Sequence, residues 1–321
     1  MSTLPGWPHE APPWHAGERA MQLRAGSAAA LAEAGRRVIR AEMPQQHRDF
    51  FAQLPFIVLG AADAAGQPWA TLLAGEPGFV WPTAPDRLQL RALPGPGDPL
   101  HGALHEGQPV ALLGIQPQAR RRNRANGEIR SIGDSGFALQ VQQSFGNCPQ
   151  YIQSRELQRV AVDAPSAEEG AALTGRAAEM VRAADTFFIA TQALTGEVSG
   201  GADVSHRGGK PGFVRVDEGG TRLSWPDFSG NSFFNTLGNL ALDPRAGLVF
   251  VDFASGDLLH VAGSAEVVWN GADLGAVAGA MRVVHLRVER WHLRRGAFPL
   301  RGALREYSPV LERTGTWPVP A

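Results

Sequence analysis

The chain states one pattern twice. Gly75-Glu76-Pro77-Gly78-Phe79-Val80 returns as Gly209-Lys210-Pro211-Gly212-Phe213-Val214, and Arg87-Leu88 after the first copy is matched by Arg222-Leu223 after the second, one residue later in register. Further on, Arg124-Ala125-Asn126-Gly127-Glu128 aligns with His260-Val261-Ala262-Gly263-Ser264-Ala265-Glu266 across a one-residue gap. Gly78 and Gly212 stand 134 positions apart, and Gly127 and Gly263 stand 136 apart. So small a drift over a whole unit argues for duplication. A chain of 321 residues has room for two cores of roughly 120–150 residues each, and each copy can cover the apolar face of the other. Only the second copy carries a dense cluster of Arg, Asn, Ser and Thr, which points to one elaborated ligand site between two packed halves.

The local patterns fill in this frame. Residues 1–17, rich in Pro, Trp and His, read as an arm lying on another surface, with Trp7 and Trp14 as anchors. A helix is predicted over Ala28–Met43, ended by Pro44, and a shorter one over His47–Leu54. Short apolar runs then alternate with Gly- and Pro-rich turns. Phe56–Gly60 and Trp69–Leu73 form a hairpin around Asp63–Pro68, followed by strands at Phe79–Trp81, Leu88–Leu90, Val110–Ile115, Ile129–Ile132 and Phe137–Val141. Asp98–Leu104 reads as a short helix. The second copy repeats the order, with a helix at Ser232–Leu240, and Glu168–Ala184 reads as the helix bridging the copies. Many short strands without a G-x-G-x-x-G turn favour a mainly β fold with peripheral helices over a doubly wound sheet. The expected divisions are an arm and helix over 1–45, a first unit over 46–165, a second over 166–299 and a tail over 300–321.

Charge and cysteine content narrow the function. Thirty Lys and Arg against 31 Asp and Glu leave no general field for drawing in nucleic acid. The run Arg120-Arg121-Arg122-Asn123-Arg124 is the local exception, read first as a solvated turn or strand edge and second as a phosphate contact. The single cysteine, Cys148, excludes an intrachain disulfide and a cysteine-built zinc cluster. The histidines show no metal-ligand spacing, so no metal is expected. The opening residues do not read as a signal peptide and no apolar stretch is long enough to cross a bilayer, which makes a cytoplasmic location the expectation.

The polar cluster of the second copy has two pieces. Ser205-His206-Arg207-Gly208-Gly209 reads as a loop whose glycines let backbone approach a ligand and whose Arg207 offers a fork of donors to phosphate. Trp225-Pro226-Asp227-Phe228 leaves a strand, turns at Gly230, and enters a helix that Asn231 is expected to cap. Its first turn, with Asn231, Asn235 and Thr236, suits an anion, and Trp225, Phe228, Phe233 and Phe234 suit a flat ring.

Together, Arg-Gly-Gly-x-Pro-Gly-Phe-Val, the strand end Trp-Pro-Asp, and Gly-Asn-x-x-x-Asn-Thr-Leu-Gly-Asn-Leu followed by Asp243-Pro244 resemble the pyridoxamine 5'-phosphate oxidase-like superfamily of FMN-binding split barrels. Asn147-Cys148-Pro149-Gln150-Tyr151-Ile152 is similar to an Asn-Cys-Pro-x-Tyr-Ile segment of one subgroup. The resemblance spans about residues 45–295 and implies a duplicated split barrel, a homodimer, and FMN as cofactor. It places His206, Arg207, Asn231, Asn235 and Thr236 on the cofactor phosphate side, and Asn147, Cys148, Gln150 and Tyr151 facing the flavin ring from the other half. It implies an FMN-dependent oxidoreductase working on a small-molecule donor or acceptor, with NAD(P)H a candidate. The alternative is a non-catalytic flavin- or haem-binding protein. Trp291-His292-Leu293-Arg294 only partly matches the Trp-x-x-x-Arg-Leu pattern that holds pyridoxal substrates, so that particular activity is not expected. Cys148 reads first as a small buried hydrophobe and second as a group touching the flavin.

Overall fold

The computed structural model describes residues 6–162 and 166–318. The N-terminal segment forms α1 (Ala16–Arg24), α2 (Ala28–Val38) and α3 (Gln45–Ala52). The first unit contains β1 (Phe56–Ala62), β2 (Pro68–Ala74), β3 (Val80–Ala84), β4 (Arg87–Leu90), β5 (Pro109–Gln116), β6 (Arg121–Gly133) and β7 (Gly136–Gly146). A connecting stretch carries β8 (Ser154–Arg155), β9 (Gln158–Arg159), β10 (Ala167–Gly170) and α4 (Gly175–Ala183). The second unit contains β11 (Thr186–Ala193), β12 (Gly201–Gly208), β13 (Arg215–Val216), β14 (Arg222–Phe228), α5 (Asn235–Leu242), β15 (Arg245–Val251), β16 (Leu258–Val268), α6 (Ala272–Ala276) and β17 (Ala280–Arg294), and the chain closes with β18 (Leu300–Arg301) and β19 (Leu304–Glu306).

The repeat is one of topology. The first sheet has strand order β2-β1-β5-β6-β7-β4-β3, and the second has β12-β11-β15-β16-β17-β14-β13, the same order position for position, with β10 added against β17. Every named pairing is antiparallel. Each ladder is an open path among the described residues, so these are two large antiparallel sheets, without the hydrogen-bonded closure of a barrel.

The repeated residues do the same physical work in both copies. A Cβ on Gly75 would stand 2.4 Å from the Phe79 ring, and one on Gly209 would stand 2.4 Å from the Phe213 ring. Gly78 and Gly212 take φ of 93° and 87°, which a side chain would strain. Gly127 and Gly263 both sit at a break in strand register, where a Cβ would strike a neighbouring carbonyl oxygen at 1.9 and 2.0 Å.

Three cores follow. One lies under the first sheet around Phe51, Leu59, Leu112 and Leu139, and one under the second around Phe187, Leu248, Trp225 and Leu286. The third joins the sheets, through Val58, Ala70, Ala111 and Leu113 from one and Phe188, Val204 and Val249 from the other. Approach there is close enough that a Cβ on Gly247 would meet the Pro68 carbonyl oxygen at 2.1 Å. This shared core is what two units that cover each other's apolar faces require.

Several local expectations change. Glu168–Ala184 is not one helix. Glu168 and Glu169 extend the second sheet as β10, and α4 begins only at Gly175. Asp98–Leu104 is a chain of turns pinned by Asp98, whose carboxylate accepts from Leu100 N. The described part of the arm lies on the protein as expected, with Trp7 and Trp14 buried beside Ile39, Phe145 and Phe233 as its anchors. The tail packs down, and the Trp317 indole donates to the carbonyls of Phe213 and Ser224. The expected ends of the arm (1–5) and tail (319–321), and the junction at 163–165, lie outside the described residues.

Candidate functional site

One cleft gathers all nine residues singled out from the sequence. Asn147, Cys148, Gln150 and Tyr151 come from the segment after β7, His206 and Arg207 from β12, and Asn231, Asn235 and Thr236 from the entry to α5. Arg122 and Arg124 of β6, Phe228 at the end of β14 and Arg282 of β17 complete the wall. The cleft holds about 130 Å³.

His206 and Arg207 lie on a strand rather than in a loop. They pair with Phe188 and Phe187 of β11, and this alternation buries His206 and leaves Arg207 half-exposed. The adjacent glycines make room for protein, not ligand. A Cβ on Gly208 would stand 2.0 Å from the Tyr151 carbonyl oxygen. Asn231 does not cap α5. Its Oδ1 accepts from Phe233 N at 3.1 Å, and the helix starts at Asn235, with Phe234 before it at φ 62° and Ser232 at φ 60°.

The arginine run is spent on four different tasks. Arg120 pairs with Glu306 at 2.6 Å and Arg121 lies over the Phe50 ring. Arg124 is buried and bridges the units. It contacts Asp203 at 3.1 Å and donates to Asn235 Oδ1 at 2.7 Å, Ser205 Oγ at 2.6 Å and the Val204 carbonyl at 3.0 Å. Among the described residues Arg122 has no carboxylate partner. It donates to His206 Nδ1 at 2.9 Å, and its Nε is buried without a partner. Burial, with the Arg124 and Arg207 guanidinium groups beside it, pulls Arg122 down to about 9. Arg207 donates only to the neighbouring His206 carbonyl. Two arginines therefore face the cleft without a counter-charge among the described residues.

His206 is neutral. Burial, then Arg122 and Arg207, hold its pKa well below the ordinary range. Because an arginine can only donate, Nδ1 accepts and the ring proton sits on Nε2, which has no partner. Asn147 Nδ2 is also buried and unpaired. Such orphaned donors are costly unless something else satisfies them. Thr236 is turned inward, its hydroxyl 3.4 Å from Asp203 Oδ2. At the mouth, Tyr151 stacks on Phe228 with centroids 5.5 Å apart, and its hydroxyl donates to the Ser229 carbonyl at 2.8 Å.

Sequence reasoning missed Arg282 in this wall, and Glu18 and Asp203 behind it. Glu18 accepts from Asn235, Asp203 anchors Arg124, and Arg282 pairs with Asp227 at 2.8 Å while lying over the Phe234 ring. The corresponding place in the first sheet is closed by protein. Asp98 accepts from Thr71 at 2.5 Å and Arg294 at 3.0 Å, and His260, the residue aligned with Arg124, stands 3.7 Å away. Among the described residues no group of three or more His, Cys, Asp or Glu is arranged to hold a metal, and no helix is long and apolar enough to cross a membrane.

No family model matches the sequence, and no curated protein matches it. Among solved structures there is a distant likeness of fold to HupZ of Group A Streptococcus, 14% identical over 41% of this chain and 94% of that one, with a TM-score of 0.28. A putative pyridoxamine 5'-phosphate oxidase from Lactobacillus delbrueckii is 19% identical over 33% of this chain and 83% of that one, at TM-score 0.27. A protein from Clostridium acetobutylicum related to general stress protein 26, of the pyridoxinephosphate oxidase family, is 13% identical over 39% and 89%, also at 0.27. Likenesses this slight assign neither a family nor an activity.

Proposed function

We propose that the cleft binds FMN and that the chain is a flavin-binding protein whose side chains grip the ligand rather than react with it. The observation that carries this reading is the pair Arg122 and Arg207, cationic at one cleft with no carboxylate partner, beside the orphaned donors Arg122 Nε, Asn147 Nδ2 and His206 Nε2. A phosphate monoester supplies the missing charge and acceptors together. The cleft volume of about 130 Å³ is below the several hundred Å³ of an ordinary small-molecule pocket. It therefore suits the phosphate end, and the ring belongs at the open mouth, where Tyr151 and Phe228 stack.

FMN supplies hydride and single-electron transfer when bound. The two titratable rings of the cleft are poorly suited to moving protons near neutrality, since burial drives His206 far down and Tyr151 up. This favours holding a flavin over turning one over. A haem is less well served, because His206, the histidine of the cleft, has Nδ1 engaged by Arg122 and Nε2 buried. The homodimer expected from the sequence is kept as part of the proposal.

The test is an absorption spectrum of the purified protein, then FMN titration by fluorescence quenching. Arg122→Ala and Arg207→Ala should each weaken FMN binding about tenfold to a hundredfold, as loss of a charge-assisted bond does. Arg37→Ala, on an exposed face of α2, should leave it unchanged. Unchanged affinity in both cleft variants sinks the site, a Soret band favours haem, and anaerobic reduction of bound flavin by NAD(P)H makes the protein an oxidoreductase. Light scattering at the single-chain mass of 34.3 kDa would end the dimer proposal.

A further inference from the structure

The N-terminal helices reach the cleft through one buried carboxyl group. Glu18 of α1 is 3% exposed. It is carried there by backbone contact between α1 and α5. A Cβ on Gly17 would stand 2.1 Å from the Gly238 carbonyl oxygen, and one on Gly238 would stand 2.6 Å from Glu18 N. Glu18 Oε2 accepts from His15 N at 3.0 Å, closing the cap of α1. Glu18 Oε1 accepts from Asn235 Nδ2 at 2.5 Å. With its amide nitrogen so engaged, Asn235 turns Oδ1 to Arg124, which donates at 2.7 Å.

The same N-terminal segment holds the residues just before Asn235. The Trp14 ring packs on Phe233 at 4.9 Å, and Gln22 Nε2 donates to the Phe233 carbonyl at 3.3 Å. On either side of the anchored Phe233, Ser232 and Phe234 both take positive φ that side chains rarely adopt. Such a backbone persists only where its surroundings over-determine it.

We infer that Glu18 is a positioning residue. Through Asn235 and Arg124 it holds the entry of α5, and with it one wall of the cleft, in the arrangement that takes a ligand. Affinity is then set partly by a helix whose residues do not line the cleft. The affinity arm of the test rests on the FMN reading, and the structural arm does not. Burial raises the Glu18 carboxyl to about 8 against the opposing pull of its bonds from Asn235 and His15 N, with Asp203 adding to the rise and Arg124 countering it. A glutamine keeps one oxygen to accept from Asn235, while its amide nitrogen replaces the oxygen that accepts from His15 N.

The experiment compares full-length wild type, Glu18→Gln and Glu18→Leu. It reads backbone hydrogen exchange across 231–242, FMN titration, and circular dichroism for fold. Glu18→Gln keeps an acceptor for Asn235 and should match wild type within about twofold in affinity. Glu18→Leu should speed exchange across 233–238, leave the strands of both sheets protected, and raise the FMN Kd about tenfold. Wild-type exchange across 233–238 in Glu18→Leu overturns the inference, as does equal loss of protection throughout the chain. If Glu18→Leu does not fold, Asn235→Ala cuts the same chain of bonds and exchange over 236–242 decides. If wild type binds no FMN, the cofactor reading fails while the exchange comparison still tests Glu18.

Discussion

Replacing Arg124 by Met probes whether the two units are joined by a buried ion pair or only by apolar packing. Methionine keeps much of the apolar stem and removes the guanidinium. The arginine and Asp203 side chains are 4% and 5% exposed at 3.1 Å separation, so the orphaned carboxylate cannot recover solvation in place. Breaking a buried pair by removing one partner costs about 3–5 kcal/mol. Asn235 Oδ1, Ser205 Oγ and the Val204 carbonyl each lose a donor as well. These losses share one side chain and do not add. The expected cost is therefore about 3–5 kcal/mol in urea unfolding followed by tryptophan fluorescence. For 321 residues the unfolding entropy is about 0.67 kcal/mol/K, which makes the fall in Tm about 4.5–7.5 °C. Adding Asp203→Leu removes the stranded charge and should recover part of the loss. A single variant within 1 kcal/mol of wild type, or a double variant no better than the single, would show that the pair does not join the units.

Three further outcomes are expected. Gly247→Ala places a Cβ 2.1 Å from the Pro68 carbonyl oxygen in the shared core and should lose more than about 2 kcal/mol, whereas Gly133→Ala, with nothing within 4 Å, should stay within about 0.5 kcal/mol by the same unfolding assay. Stability should peak near pH 6.5. His47 and His260 are held near 4 and His206 lower still, so the unfolded chain binds more protons below 6.5 and stability falls as pH drops through that window. Glu18, raised to about 8, acts oppositely: the folded chain holds its proton longer, and stability falls as pH rises from about 4.5 to 8. A urea midpoint still rising between pH 7 and 8, or flat between 4.5 and 6.5, would contradict these assignments. Glu18→Gln should flatten the alkaline limb and leave the acid limb in place.

The duplication was legible because its glycines are forced. A Cβ at Gly75 or Gly209 has nowhere to go, so both copies keep the same word. Strand order within each sheet was not written in any local pattern, because it is fixed by long-range pairing. Glu168 and Glu169 read as helix on propensity, but pairing with His292 and Leu293 of β17 makes them strand. Arg122 and Arg124 looked like a solvated edge because charge runs usually are. Alternation along β6 instead turns both toward the second unit. Glu18 carried no readable signal, since it reaches Asn235 only after 217 residues of chain have folded back. The residues near the cleft were found as a group because they sit in three short segments, and their individual bonds were not.

The shared core has a consequence for how the cleft responds to dilution. Its wall takes Arg122 and Arg124 from one half and Ser205, Arg207 and Asn235 from the other. Were the halves separate molecules, the wall would come apart below their dissociation constant, and ligand affinity would depend on protein concentration. Here residues 147–185 tether them, so each half meets the other at a fixed, high effective concentration. Occupancy by the proposed ligand would then follow the ligand level alone, even at a few copies per cell. The two halves also meet where Asp98 of the first accepts from Arg294 of the second at 3.0 Å, a contact filled by protein alone.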